Sequence, residues 1–125
     1  VSTTPDLDAL VPEWLPLPDL ADRIGVGFSQ ARNLVRDRHV VGVRRGERAV
    51  FQVPAAFLVP AEDGGAEQVL PSLRGTVLVL ADQGLPDEEI LEWLFAPNDA
   101  LGTTPVEALR AGRRTEVRRA AQALG

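Results

Sequence analysis

Leu20-Ala21-Asp22-Arg23-Ile24-Gly25-Val26-Gly27-Phe28-Ser29-Gln30-Ala31-Arg32-Asn33-Leu34-Val35 decides the reading of this 125-residue chain. Pro18 and Asp19 just before it suit the first turn of a helix, Pro for its fixed φ and Asp for the helix dipole. Leu20, Ala21 and Ile24 form the buried stripe of that helix, and Gly25 ends it. Ala21 is small where two helices cross closely, since such a crossing leaves room for little more than a methyl. Val26 plugs the corner, and a second helix runs from Ser29 to about Asp37 with Ala31, Leu34 and Val35 inward. This is the spacing of a helix-turn-helix. It turns Ser29, Gln30, Arg32, Asn33 and Arg36 outward, side chains that reach base edges or phosphates in a DNA major groove.

Outward from this motif the pattern changes. Val40 to Val43 and Ala49 to Val53 are short, Val-rich runs on either side of Arg44-Arg45-Gly46-Glu47-Arg48, and they predict a β-hairpin with Gly at its tip. Pro54 to Leu58 suits a short closing helix. Upstream, Trp14-Leu15-Pro16-Leu17 packs the chain onto this domain, and residues 1–13, acidic and punctuated by Pro, read as a mobile tail. Residues 60–69 have the composition of a linker. From Leu70 on the spacing is helical, although Thr76 to Val79 fits a strand equally well. Pro86-Asp87-Glu88-Glu89 opens one helix, Thr104-Pro105-Val106-Glu107 carries the Thr-x-x-Glu cap of another, and Val117, Ala120, Ala121 and Leu124 mark a last amphipathic one. The expected fold is mainly α with a small β-hairpin: a tail at 1–13, a helix-turn-helix with its hairpin at 14–59, a linker at 60–69 and a helical lobe at 70–125.

Charge supports this partition. The chain carries 18 acids and 13 bases, every base an Arg, for a net of −5. Residues 1–22 hold five acids and no base, whereas 23–48 hold seven Arg against Asp37 and Glu47. Residues 49–109 hold ten acids against Arg74, and 110–125 return to a net of +4. A basic island inside an acidic chain is the footprint of a localised phosphate contact. The lack of Cys rules out disulfides, thiolate chemistry and Cys-based metal sites, and one His cannot build a His cage. No metal or cofactor is expected. No apolar run approaches a membrane span, and Val1 to Asp6 lacks the basic flank and apolar core of a signal peptide, so a cytoplasmic address is expected.

Helix, tight turn, polar-basic helix and basic hairpin, in this order over residues 15–58, resemble the winged domains of excisionase- and MerR-like DNA-binding proteins. The whole chain resembles a small actinobacterial family of winged helix-turn-helix DNA-binding proteins. That resemblance implies a second helix in the major groove and a wing on the backbone. Gly27 departs from the motif, which often has Ser as the helix cap, and the expectation is that Ser29 caps instead. Glu92-Trp93-Leu94-Phe95-Ala96-Pro97-Asn98 through Leu101-Gly102-Thr103-Thr104-Pro105 is similar to the toxin-binding domain of Xre-type antitoxins. This second resemblance implies dimerisation or protein-partner binding through residues 73–124.

The residues therefore predict a double-stranded DNA binder with a role in transcriptional regulation and no enzymatic activity. Phosphates fall to Arg23, Arg32, Arg36, Arg44, Arg45 and Arg48, and base readout to Ser29, Gln30, Arg32 and Asn33. The competing reading is an antitoxin-like adaptor whose C-terminal helices hold a protein partner. Thr3 and Thr4 are candidate Ser/Thr kinase sites, where a phosphate of roughly −1.5 to −2 charge competes with DNA for the Arg island. Glu88, Glu89 and Glu92 read as a dipole-favourable helix start rather than as acid–base catalysts. The second basic cluster, Arg110, Arg113, Arg114, Arg118 and Arg119, reads either as a solvated face paired with the acidic middle or as an auxiliary DNA contact.

Overall fold

The computed structural model describes residues 7–124, so Thr3 and Thr4 lie outside the described residues. The chain runs α1 (Leu7–Leu10), β1 (Trp14–Pro16), α2 (Leu17–Ile24), α3 (Phe28–Arg36), β2 (Val43–Arg45) and β3 (Val50–Pro54). A 3-10 turn at Ala55–Phe57 leads to β4 (Leu58–Val59) and β5 (Gln68–Val69). Four helices close the chain: α4 (Leu73–Asp82), α5 (Asp87–Phe95), α6 (Pro105–Arg110) and α7 (Arg114–Gln122). The mainly α fold with a small hairpin, followed by a helical lobe, is the one the sequence predicts.

Gly25 ends α2 as expected. Its φ of 73° is left-handed, and Val26 N–H closes back on the Ala21 carbonyl at 3.0 Å. The turn brings Ala21 of α2 and Ala31 of α3 into the core, where both are buried. The start of α3 differs from expectation. Gly27, not Ser29, is the cap, and Gln30 supplies the missing side chain by accepting from Gly27 N–H at 3.2 Å.

The sheet has order β1-β3-β2, all antiparallel. A hairpin forms here as expected, but its first strand is Val43–Arg45 rather than Val40 to Val43, so Arg44 and Arg45 stand in the strand and not the turn. β1 is an addition: Leu15 pairs Val53 and Pro16 pairs Gln52. Pro16 lacks an N–H and is tolerated because β1 is an edge strand. Val40 and Val41 are buried but lie outside any strand; they fill the core between α3 and the hairpin.

Two expectations are corrected. Residues 7–13 are not a loose tail, because Leu7 and Val11 are buried and α1 packs on α5. Residues 60–69 are not a free tether, since Gln68 and Val69 are strand β5. Residues 60–67 form the loop between β4 and β5, where Leu58 pairs Val69 and Leu70 N–H bonds the Phe57 carbonyl at 2.8 Å. A single apolar cluster joins both lobes, and Phe57 meets Phe95 with ring centroids 5.6 Å apart. Thr76 to Val79 is helical: Leu73, Val77 and Leu80 share the buried face of α4, and Thr76 is buried with them.

Gly42 lies where the chain crosses β3. A methyl there would collide with the Gln52 carbonyl and sit 2.8 Å from both the Phe51 ring and Val53 Cγ1. Gly42→Ala is therefore expected to lower unfolding free energy by about 1–3 kcal/mol in urea titrations. An unchanged midpoint would mean that the hairpin is not seated here.

Candidate nucleic-acid interface

α3 presents Ser29, Arg32, Asn33 and Arg36 at helical i, i+3, i+4, i+7 positions, all exposed and lining one shallow depression. Arg32 has no carboxylate within 4.0 Å among the described residues, and Arg36 touches only the neighbouring Asp37, at 3.5 Å. Gln30 is exposed beside them, with its carbonyl oxygen engaged at the helix start. Phe28, to which the sequence reading gave no role, opens the same helix with 49 % of its surface exposed. An outward aromatic at the first turn of an otherwise polar face was the signal available for it.

The hairpin turns through Gly46 (φ 78°) and Ala49 (φ 52°), and Arg44 donates to the Ala49 carbonyl at 3.2 Å. Arg44 and Arg48 are exposed and have no carboxylate partner among the described residues. Arg45 is different. Its guanidinium lies 4.2 Å from the Trp14 ring centroid and pairs with Asp8, leaving its side chain 23 % exposed. Arg23 is likewise drawn away, to Glu67 at 2.7 Å and Glu13 at 3.8 Å, where it fastens α2 to the β5 end of the loop. The structure thus gathers Ser29, Gln30, Arg32, Asn33 and Arg36 on one helix and Arg44 and Arg48 on the hairpin. It separates Arg23 and Arg45 from that set.

The C-terminal lobe holds a groove of about 590 Å³ lined by Leu10, Leu85, Trp93, Ala96, Pro97 and Leu124, with Glu89 and Glu92 beside them. Its basic cluster is divided too. Arg110 donates to the carbonyls of Ala56 and Leu58 at 2.8 and 2.6 Å. Arg113 is held by Glu116 at 2.7 Å, a hydrogen bond that keeps the Glu116 carboxyl below its ordinary range and raises Arg113. Among the described residues no three His, Asp or Glu side chains converge as a metal site, and no helix is long and apolar enough to cross a membrane.

Residues 4–58 match the family described as DNA-binding protein Rv2175c, wHTH domain, and residues 70–125 match the Rv2175c C-terminal domain of unknown function. The chain belongs to the Rv2175c family. It is 36 % identical over 120 residues to the DNA-binding protein Rv2175c of Mycobacterium tuberculosis (strain ATCC 25618 / H37Rv), an alignment covering 86 % of this chain and 77 % of that protein. Its fold superposes on the NMR structure of Rv2175c with a TM-score of 0.74 at 34 % identity, covering 90 % of this chain and 80 % of that one. The N-terminal lobe is thus a winged helix-turn-helix, with α3 as its second helix and β2–β3 as its wing.

The division between anchored and free Arg in this Rv2175c-family wing is measurable without a ligand. Arg45→Ala removes the Trp14 stack and is expected to cost about 1 kcal/mol in urea unfolding, whereas Arg48→Ala stays within about 0.5 kcal/mol. Equal effects would contradict the anchored role of Arg45.

Proposed function

We propose that this chain is a non-enzymatic transcriptional regulator that binds double-stranded DNA with α3 in the major groove and the wing on the backbone. The observation that carries it is the face of α3. Ser29, Arg32, Asn33 and Arg36 stand in one exposed row with Arg44 and Arg48 on the adjacent hairpin, on a family fold whose named relative is a DNA-binding protein. Asn33 and Arg32 suit bidentate contacts with adenine and guanine edges; Arg36, Arg44 and Arg48 suit phosphates. Gln30 keeps its Nε2 donors free while its carbonyl oxygen holds Gly27 N–H, so only a bidentate base contact carries the cost of the cap. Arg23 and Arg45 support the surface from behind and are left out of the contact set. A DNA regulator of this kind works in the cytoplasm.

Thr3 and Thr4 enter this proposal as a charge switch. Asp8 pairs with Arg45, so an acidic side chain of the N-terminal segment already engages a wing guanidinium, and a phosphate is an anion of the kind that Arg forks bind. A Thr4→Asp chain then binds duplex more weakly at low salt, with the deficit shrinking as salt rises. Undiminished binding by fully phosphorylated protein would remove the switch.

The groove favours a second reading, an adaptor role. Its apolar lining and the Glu89 and Glu92 carboxylates fit a basic amphipathic helix of a partner protein, and like charges facing across a two-fold axis disfavour a second copy of this chain.

The deciding experiment is a duplex titration across a salt series on a sequence selected from random DNA. With Arg36, Arg44 and Arg48 each on a phosphate, log K falls against log salt with a slope of at least roughly −2.7. Asn33→Ala costs about 1–3 kcal/mol on the selected site and little on random DNA, while Arg32→Ala weakens both. A flat salt response would contradict the proposal, and equal losses for Asn33→Ala on both duplexes would take it out of base readout.

A further inference from the structure

A line of Arg side chains leaves the α3 face and crosses onto the C-terminal lobe. Asp37 ends α3, and its main-chain carbonyl accepts a hydrogen bond from Arg74 Nε at 2.8 Å. Arg74 is the second residue of α4, so the first helix of the lobe starts against the last turn of α3. Gly75 follows, and its missing side chain leaves the space into which Arg118 of α7 lays its guanidinium; a methyl at 75 would collide with Nη2. Arg118 and Arg114, one turn apart, line a polar cleft of about 350 Å³ together with Ser72 and Thr115.

No ion pair holds the charge on this line, and the acid that shares a depression with Arg114, Glu62, stays beyond ion-pair distance. Arg74, Arg114 and Arg118 are exposed, and among the described residues no carboxylate lies within 4.0 Å of any of them. The other acid named, Asp37, turns its carboxylate to Arg36. Neighbouring Arg110 and Arg113 are consumed by carbonyls and by Glu116. Arg119 is exposed and without an ion pair as well, so what sets Arg114 and Arg118 apart is the cleft they line beside Gly75. Like charges four apart on a helix repel, a cost that a polyanion removes. Arg74 keeps four of its five N–H donors after bonding Asp37, and the hydroxyls of Ser72 and Thr115 are neutral donors of the kind that bind phosphate oxygens.

We propose that this track is a second backbone-contact surface: Arg74, Arg114 and Arg118 bind phosphates of the same duplex that α3 reads. The C-terminal lobe is then part of the DNA-binding surface as well as a support for the first. The proposal rests on the DNA reading above and extends it to residues that the family description assigns no function.

The test is a salt series on one duplex with the full chain and its variants. Each phosphate contact contributes about 0.9 to the slope of log K against log salt, so Arg114→Ala/Arg118→Ala is expected to flatten the slope by about 1.8. Arg118→Gln removes the charge but keeps a polar, hydrogen-bonding side chain, and should flatten it by about 0.9 alone. Arg119→Ala removes a charge one residue away, off the cleft, and should leave the slope unchanged. A parent chain with a steep slope and a double variant with the same slope would overturn the track while leaving the DNA reading intact. A loss for Arg119→Ala matching that for Arg118→Gln would also overturn it, by showing a general charge effect. A parent chain with no salt-dependent binding would bring down the DNA reading and the track together.

Discussion

Strand β3 is paired on both edges, and the placement of every charged surface in the N-terminal lobe follows from that. On one side β1 supplies Leu15 opposite Val53, and α2 begins at the residue after Pro16, so the strand fixes where the first helix starts. On the other side β2 carries Arg44 and Arg45 into the hairpin. The left-handed turn at Gly25 then sets α3 against α2. With α2 held by β1 and α3 held by α2, the outward row on α3 and the hairpin tip keep a fixed relation. Such a scaffold presents several weak polar contacts at once, which is what recognition through phosphates and base edges needs.

The Arg residues divide by what each guanidinium touches. Arg45 on Trp14, Arg23 on Glu67, Arg38 on Asp87 and Arg110 on two carbonyls are structural fasteners that join segments far apart in the chain. Arg32, Arg44, Arg48, Arg74, Arg114, Arg118 and Arg119 face outward without a carboxylate within 4.0 Å among the described residues. The basic island of 23–48 therefore overstates the charge available to a polyanion within its own bounds, and the count along the chain understates it beyond them. Exposed ion pairs of this kind contribute little to stability. Their larger consequence is to decide which cations remain available.

The helix-turn-helix was legible because its constraints are local: a small residue at the crossing, glycine at a left-handed turn, and an apolar stripe of helical period. The hairpin was legible for the same reason. What sequence missed depends on contacts across the chain. β1 is three residues with a Pro in it, too short to show a period, and exists because Val53 lies opposite Leu15. β4 and β5 are two residues each, so the intervening Gly- and acid-rich stretch looked like a tether. Leu7 and Val11 are one helical turn apart, a signal that a single four-residue helix cannot raise above chance. At the start of α3, Gly27 followed three residues later by Gln30 carried a readable cap, obscured by the pull of Ser29 as a conventional one. Which Arg are free was not legible, since Asp8, Trp14 and Glu67 are distant in sequence from the residues they hold.

Backbone amide shifts recorded while the selected duplex is titrated into the full chain test the central claim most directly. The account predicts that the largest changes fall on residues 28–36 and 44–48, with the amides lining the groove near Leu85 and Trp93 left in place. Changes concentrated at that groove, with α3 and the wing unmoved, would contradict it.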